Sequence, residues 1–213
     1  YAEQRIQLEK IKNDQLQTEL KFLKSQYHPH FLFNALNTVY FQIDESNKAP
    51  RRTLEMISEL LRYQLYGGNQ KASILQEIDY LKTYIALRKL RMSERLRLRV
   101  EFPPELNELN IYPLLFLPLV ENAFKYVGGD YQLDIIMKWE NNRISLFIRN
   151  SIPELSAEDE ALRKSVDERQ RKGIGLVNLR RRLSLLYPNK HRLETRKEET
   201  EFVAELMIEI EDI

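Results

Sequence analysis

Two histidines flank a proline in the segment His28-Pro29-His30-Phe31-Leu32-Phe33-Asn34-Ala35-Leu36-Asn37. A neutral imidazole is a nucleophile at physiological pH, and an exposed one accepts a phosphoryl group. Pro29 lacks a backbone donor and tends to bend a helix, so His30 follows a local irregularity. Taken singly, either histidine also reads as a core or capping residue. Farther along, the run Leu117-Pro118-Leu119-Val120-Glu121-Asn122-Ala123-Phe124-Lys125-Tyr126 places polar side chains straight after an apolar stretch. Phosphoryl transfer requires a metal near the triphosphate, charge-stabilising donors and an in-line nucleophile. Magnesium takes oxygen ligands and keeps several waters, so the amide oxygen of Asn122 suffices. Lys125, three residues on along the same helix, is within reach of a phosphate. A core helix with an exposed Glu and Lys explains the run in blander terms. Gly173 and Gly175 precede a helical stretch, where bare N–H groups favour anions, although a plain loop-to-helix junction accounts for two glycines equally well.

The rest of the chain must position these groups. Its 213 residues suffice for one large or two modest domains, and 43% hydrophobic with 31% charged residues fits a folded, water-soluble chain. A formal charge of +1 gives no reason to expect a nucleic-acid partner. Cysteine is absent, which excludes disulfides and thiolate metal sites and fits a reducing compartment. No apolar run approaches the roughly 20 residues that span a bilayer. The chain starts at Tyr1 in helix-like sequence and reads as a fragment, with any membrane segments expected upstream.

Periodicity predicts one long helix over residues 2–45, in which Leu16, Leu20, Leu23 and Tyr27 form a coiled-coil-like seam. The seam turns polar at His30, Asn34 and Asn37. Residues 46–50 are expected to connect it to a second helix over 53–66, ended by Gly67-Gly68. Two helices bury too little surface alone, so pairing of two such hairpins as a dimeric four-helix bundle is expected. Beyond the glycines, Ser73 is expected to cap a helix reaching about Met92. A strand follows over 96–102, then a helix over 113–126. Next come a hairpin turning at Asn141-Asn142, a charged loop or loose helix over 153–172, a helix over 176–187 and two closing strands. The fold class is α+β, with a mainly antiparallel sheet and one helical face.

In sequence order, three of these segments resemble one family. The stretch Gln26 to Asn37 resembles the H-box of LytS-type (YehU-type) sensor histidine kinases; Leu117 to Tyr126 resembles the N-box of the GHKL ATP-binding fold; Lys172 to Leu183 resembles its second glycine box. Leu60-Leu61-Arg62-Tyr63 and the helix from Tyr84 to Arg91 match the family's spacing as well. The resemblance implies a dimerisation and phosphoacceptor domain over 1–70 and a GHKL-type α/β sandwich with a mixed sheet over 71–213. It implies ATP and Mg2+ as cofactors, autophosphorylation of a histidine, transfer to an aspartate of a response regulator, a homodimer, and a cytoplasmic position within a membrane sensor. His30 takes the phosphoacceptor position, with His28 its competitor. Asn122 becomes the metal ligand, Lys125 a phosphate contact and Tyr126 part of the nucleotide pocket; Gly173, Gly175 and Asn178 belong to the second box. Glu121 is the candidate base, since the Glu before the metal-binding Asn activates the nucleophile in GHKL ATPases. The arginine run 180–182 is expected to be solvated or dimer-facing, and His191 structural or simply exposed.

Two departures stand out. The family's first glycine box, Asp-x-Gly-x-Gly, is replaced by Arg149-Asn150-Ser151-Ile152-Pro153, and Arg171 stands where the second box has its leading glycine. Asn150 offers a carbonyl oxygen where the family's Asp accepts from the adenine amino group, and a neutral amide is expected to bind less strongly than a carboxylate. A nucleotide-dead or nucleotide-sensing dimeric scaffold without kinase activity is the alternative these departures motivate.

Overall fold

Alternating apolar residues on the strands and apolar stripes on the helices build the architecture. The computed structural model describes residues 29–66, 71–104, 106, 109–153 and 174–210. The chain forms two compact units, Tyr1–Tyr66 and Gly67–Ile213.

In the first unit, helices α1 (Pro29–Gln42) and α2 (Lys48–Tyr66) make a hairpin. The part of the expected long helix before Pro29, with the coiled-coil seam and His28, lies outside the described residues. Helix α2 begins at Lys48 rather than near residue 53, because Pro50 falls in its first turn, where a missing N–H costs nothing. Asp44 tightens the connecting turn, its Oδ1 accepting from the Ser46 N–H and hydroxyl. Aromatic and cationic contacts join the helices. The Phe33 and Tyr66 rings stack at 6.2 Å, and the Arg51 guanidinium lies 4.9 Å from the Tyr40 ring centre while donating to the Ile43 carbonyl.

The second unit contains β1 (Ala72–Ser73), α3 (Ile74–Lys89), β2 (Arg97–Glu101), β3 (Asn110–Ile111), α4 (Leu117–Tyr126), β4 (Gln132–Glu140), β5 (Arg143–Ser151), α5 (Ile174–Leu186), β6 (His191–Lys197) and β7 (Glu201–Glu209). Ser73 caps α3 as expected, in a capping box with Gln76. The main sheet runs β2-β4-β5-β7-β6; β2 pairs parallel with β4 and every other pair is antiparallel. This is the mixed, mainly antiparallel sheet of the α+β class. Asn141 and Asn142, at φ 52° and 58°, make the two-residue turn between β4 and β5, because Asn tolerates the left-handed region that such hairpins need. Leu133, Ile135 and Met137 of β4, with Ile144, Leu146 and Ile148 of β5, are buried together with Ile78, Leu81 and Ile85 of α3, Leu119, Val120 and Phe124 of α4, and Leu179 and Leu183 of α5. Each such side chain contributes about 1.5–3 kcal/mol on leaving water. The sequence pattern did not reveal the small β1–β3 ladder, whose strands are two residues each.

One expected element is shorter than its sequence pattern. Residues 113–116 are not the first turn of α4; they form a turn in which Leu114 has φ 59°. A non-glycine residue there costs on the order of 1–2 kcal/mol, so its surroundings must impose it. Helix α3 also stops at Lys89 rather than near Met92, its last carbonyls taken by N–H groups of residues 90–92.

Candidate functional site

His30 lies in the first turn of α1 and is exposed. Asn34, one turn on, places its Nδ2 3.2 Å from His30 Nδ1, and Thr38 bonds back to the Asn34 carbonyl at 2.9 Å. The Nδ1 edge of the ring is thus engaged. Sequence reading did not assign Asn34 a role, although its i+4 spacing from His30 was the available signal.

On α4, Pro118, Glu121, Asn122 and Lys125 share one face, because Leu117, Leu119, Val120, Ala123 and Phe124 turn inward. Asn122 is half-buried and Lys125 is exposed, its ammonium 5.2 Å from the centre of the half-buried Tyr126 ring. Among the described residues no three His, Cys, Asp or Glu side chains cluster as a metal cage. A single amide oxygen on an open face suits magnesium, which keeps its waters and shares ligands with phosphate oxygens.

Glu121 is exposed as a residue, yet loss of water around its carboxyl pushes the pKa above the ordinary 4.5, with Arg88 of α3 pulling it part of the way back. Tyr84, also on α3, has its hydroxyl raised by desolvation and by the Glu121 charge. Arg88 packs its guanidinium 5.7 Å from the Phe124 ring centre. A carboxylate with a raised folded-state pKa holds its proton more tightly in the fold than in the unfolded chain. Its ionised form therefore lowers stability as pH rises through a window that opens near 4.5. Glu121→Gln is accordingly expected to raise the thermal midpoint at about pH 8, with the gain vanishing near about pH 4. An equal gain at both pH values would show that the raised pKa is not its source.

Asn150 ends the inward row of β5 and is fully buried. Its Nδ2 donates to the Ser151 carbonyl at 3.2 Å, and its Oδ1 has no hydrogen-bond partner. The Ser151 carbonyl also accepts from the Gly128 N–H at 3.0 Å, and the Ser151 hydroxyl donates to the Gly128 carbonyl at 2.6 Å. This end of β5 is thereby tied to the residues that follow α4. A carbonyl only accepts, so the amide nitrogen must face Ser151 and the amide oxygen must face away. Asn150 is in this respect not a weakened aspartate: a carboxylate would set an anion against the Ser151 carbonyl. Asn150→Asp is expected to lower the thermal midpoint at about pH 7. A thermal midpoint unchanged or raised in the Asp variant would overturn that view. Arg149, one residue earlier, points to the opposite face and donates through Nε and Nη2 to Asp134 Oδ2 at 3.0 and 2.7 Å.

Gly173 lies outside the described residues. Gly175 and Asn178 are exposed in the N-terminal half of α5, and a Cβ added at Gly175 would meet nothing within 4 Å. Helix α5 packs on α4; Glu121, Asn122, Lys125, Tyr126, Asn150, Gly175 and Asn178 all belong to the second unit, whereas His30 belongs to the first. The arginine run is not uniformly solvated. Arg182 is half-buried and donates to the Pro113 carbonyl at 2.8 Å, and Arg180 donates to the Leu193 carbonyl at 3.0 Å; Arg181 alone is exposed without such a bond among those described. The Pro113 carbonyl lies 69 residues from Arg182, whereas Leu193 lies 13 residues from Arg180, just after the same helix. His191 opens β6, and its Nδ1–H donates to the Tyr187 carbonyl at 2.7 Å, a structural bond.

Residues 18–96 match the family model described as Histidine kinase. Sensor protein kinase HptS of Staphylococcus aureus (strain USA300) is 28% identical over 180 residues, covering 82% of this chain and 35% of HptS. The chain thus spans about a third of the length of that curated relative. Among solved structures, Acinetobacter baumannii histidine kinase AdeS overlaps 88% of this chain and 98% of its own at TM-score 0.43 and 13% identity. The mycobacterial sensor histidine kinase MprB overlaps 68% of this chain and 100% of its own at TM-score 0.44 and 13% identity. Over residues 18–96 the chain thus resembles the histidine kinase family, and over 180 residues it is similar to a sensor protein kinase.

Proposed function

We propose that this chain is the kinase part of a two-component sensor protein, in which His30 takes the γ-phosphoryl group of ATP bound by the second unit. The observation that carries this reading is the exposed His30 ring, engaged at Nδ1 by Asn34, inside a segment that matches the histidine kinase family. An Asn amide presents either end after a half turn. With Oδ1 turned inward it accepts from Nδ1–H, which leaves the lone pair on Nε2 facing outward. Nε2 then bonds to the γ-phosphorus as the bond to the β–γ bridging oxygen breaks, ADP leaves, and the surplus imidazole proton passes to a base, for which Glu121 is our candidate. A raised pKa suits a carboxylate to that task.

Within the second unit, Asn122 would hold magnesium, which neutralises charge on the phosphate oxygens when bound. Lys125 pairs with a phosphate, Tyr126 and Asn150 receive the base and sugar end, and Gly175 and Asn178 line the start of α5. The orphaned Asn150 Oδ1 is an acceptor that lacks a donor, and an exocyclic amino group supplies one. The phosphoryl group then passes to an aspartate of a response regulator. Phe31, Ala35 and Val39 form an exposed stripe at i, i+4, i+8 on α1, with Phe31 73% and Val39 46% exposed. Such a stripe supports pairing with a second copy as a homodimer. Among the described residues no helix is long and apolar enough to cross a membrane; we place this part of the sensor on the cytoplasmic side, where ATP is found.

Incubation with γ-labelled ATP and magnesium tests the reading, the expected product being an acid-labile, base-stable label on the protein. The complete burial of Asn150 favours a second reading, a dimeric scaffold that does not turn over nucleotide. Absence of label with ADP binding retained, or with no nucleotide bound at all, would decide for it.

A further inference from the structure

Helix α4 begins without the usual fastening. Its N-cap residue is Phe116, no side chain caps its first N–H groups, and Pro118 sits in the first turn. A side-chain cap commonly marks where a helix starts. Here three consecutive backbone groups just ahead of it are held instead, each by a side chain remote in sequence. The Tyr112 N–H donates to the Tyr187 hydroxyl at 3.2 Å, the Pro113 carbonyl accepts from Arg182 Nη2 at 2.8 Å, and the Leu114 N–H donates to Glu77 Oε2 at 2.8 Å. Glu77 comes from α3, Arg182 from α5 and Tyr187 from just beyond α5. Glu77 is fully buried, and the Tyr112 and Tyr187 rings meet edge to face at 5.7 Å. The grip also accounts for Leu114, kept at φ 59° with the peptide before it held at both its carbonyl and its N–H.

A buried carboxylate and a half-buried guanidinium are a costly way to secure a turn, since apolar packing of similar volume stabilises as well or better. What they supply, and apolar packing does not, is register. The held groups alternate donor, acceptor, donor, and Pro113 has no N–H, so a slip of one residue sets a missing donor against Tyr187 or Glu77. In a helix with 3.6 residues per turn, such a slip turns the following face by about 100°. That would carry Asn122 and Lys125 off the outward face of α4.

We propose that Glu77, Arg182 and Tyr187 are positioning residues that set the rotation of α4, and through it the aim of Asn122 and Lys125 at the metal and phosphate end of a bound nucleotide. The proposal rests on the reading of that face as the magnesium–nucleotide site. Asn150 stands on β5, outside the grip, so the grip acts most on the metal and phosphate end, with Tyr126 the one base-end residue that α4 also carries. A brace that merely stabilised the unit would affect both ends alike.

The test measures ADP binding to the full chain by calorimetry, once with magnesium and once with EDTA, for Arg182→Met, Arg182→Lys and Tyr187→Phe. Arg182→Met is expected to weaken magnesium–ADP binding at least about tenfold and metal-free ADP by a clearly smaller factor, since only the Asn122–magnesium contribution is absent in EDTA while Lys125 and Tyr126 still contribute. Arg182→Lys, which keeps a donor for the Pro113 carbonyl, recovers most of the loss. Tyr187→Phe, which keeps the ring and removes the acceptor, gives a smaller loss of the same kind. Equal losses in both conditions, tracking a fall in thermal midpoint, would overturn the proposal and leave a structural brace; so would unchanged binding in all three variants. Failure of the unsubstituted chain to bind ADP in either condition would instead overturn the nucleotide reading and the proposal with it.

Discussion

His30→Gln is expected to reduce the acid-labile label taken from γ-labelled ATP to below roughly one per cent of the unsubstituted level, while His28→Gln keeps most of it. Glutamine has similar reach and polarity but no nucleophilic ring nitrogen. Because His30 is exposed and bonded only within its own helix among the described contacts, the change leaves the α1–α2 packing intact. Phe33, Tyr40 and Arg51, which join the two helices, are untouched. Loss of label with an unchanged thermal midpoint therefore reports chemistry rather than folding. If label persisted in His30→Gln and vanished in His28→Gln, the neighbour across Pro29 would be the acceptor. Persistence in both would place the label elsewhere in the chain.

Asn122→Ala is expected to have the second-largest effect. A magnesium ion contributes several kcal/mol of charge stabilisation to phosphoryl transfer, and about 1.4 kcal/mol corresponds to a factor of ten in rate. With Asn122 as the proposed magnesium ligand, its removal is expected to slow labelling on the order of a hundredfold and to raise the magnesium concentration needed for half-maximal rate. Asn122→Asp, which keeps an oxygen in place, retains part of the rate. Asn122 is half-buried on the outward face of α4, so truncation leaves the inward row of Leu119, Val120, Ala123 and Phe124 undisturbed. An unchanged magnesium dependence in Asn122→Ala would remove Asn122 from the metal and leave Lys125 and the α5 N-terminus to carry the phosphates.

Much of the fold is local in origin and was legible from residue order. Ser73 and Gln76 announce the start of α3 three residues apart, and the capping box they form is a matter of one helical turn. Asn141-Asn142 between two alternating runs announces the hairpin, since the turn needs φ > 0 at both positions and Asn accepts it. The outward grouping of Glu121, Asn122 and Lys125 follows from helical spacing once the apolar residues of α4 are assigned to the core. The start of α4 was not legible. The apolar run from residue 113 has helical composition, and only Glu77 and Arg182, more than thirty residues away on either side, withhold Pro113 and Leu114 from the helix.

The sequence by itself determined the types of chemistry available: an imidazole after a proline, an amide beside a carboxylate on one helix face, and an amide where an acid is customary in the related family. Side-chain identity is covalent, and helical or strand spacing follows from backbone sterics, so neither needs a partner to be read. Only the tertiary structure decided what surrounds these groups. It turned Asn150 so that its oxygen is the unpaired end, because the Ser151 carbonyl it faces is itself set by Gly128. It raised the Glu121 pKa by taking water from the carboxyl. It also took Arg182 out of a charged run that reads as surface and set it on the Pro113 carbonyl. Hydrogen-bond direction, desolvation and long-range contact depend on what the chain brings near from afar, and residue order alone carries no such distances.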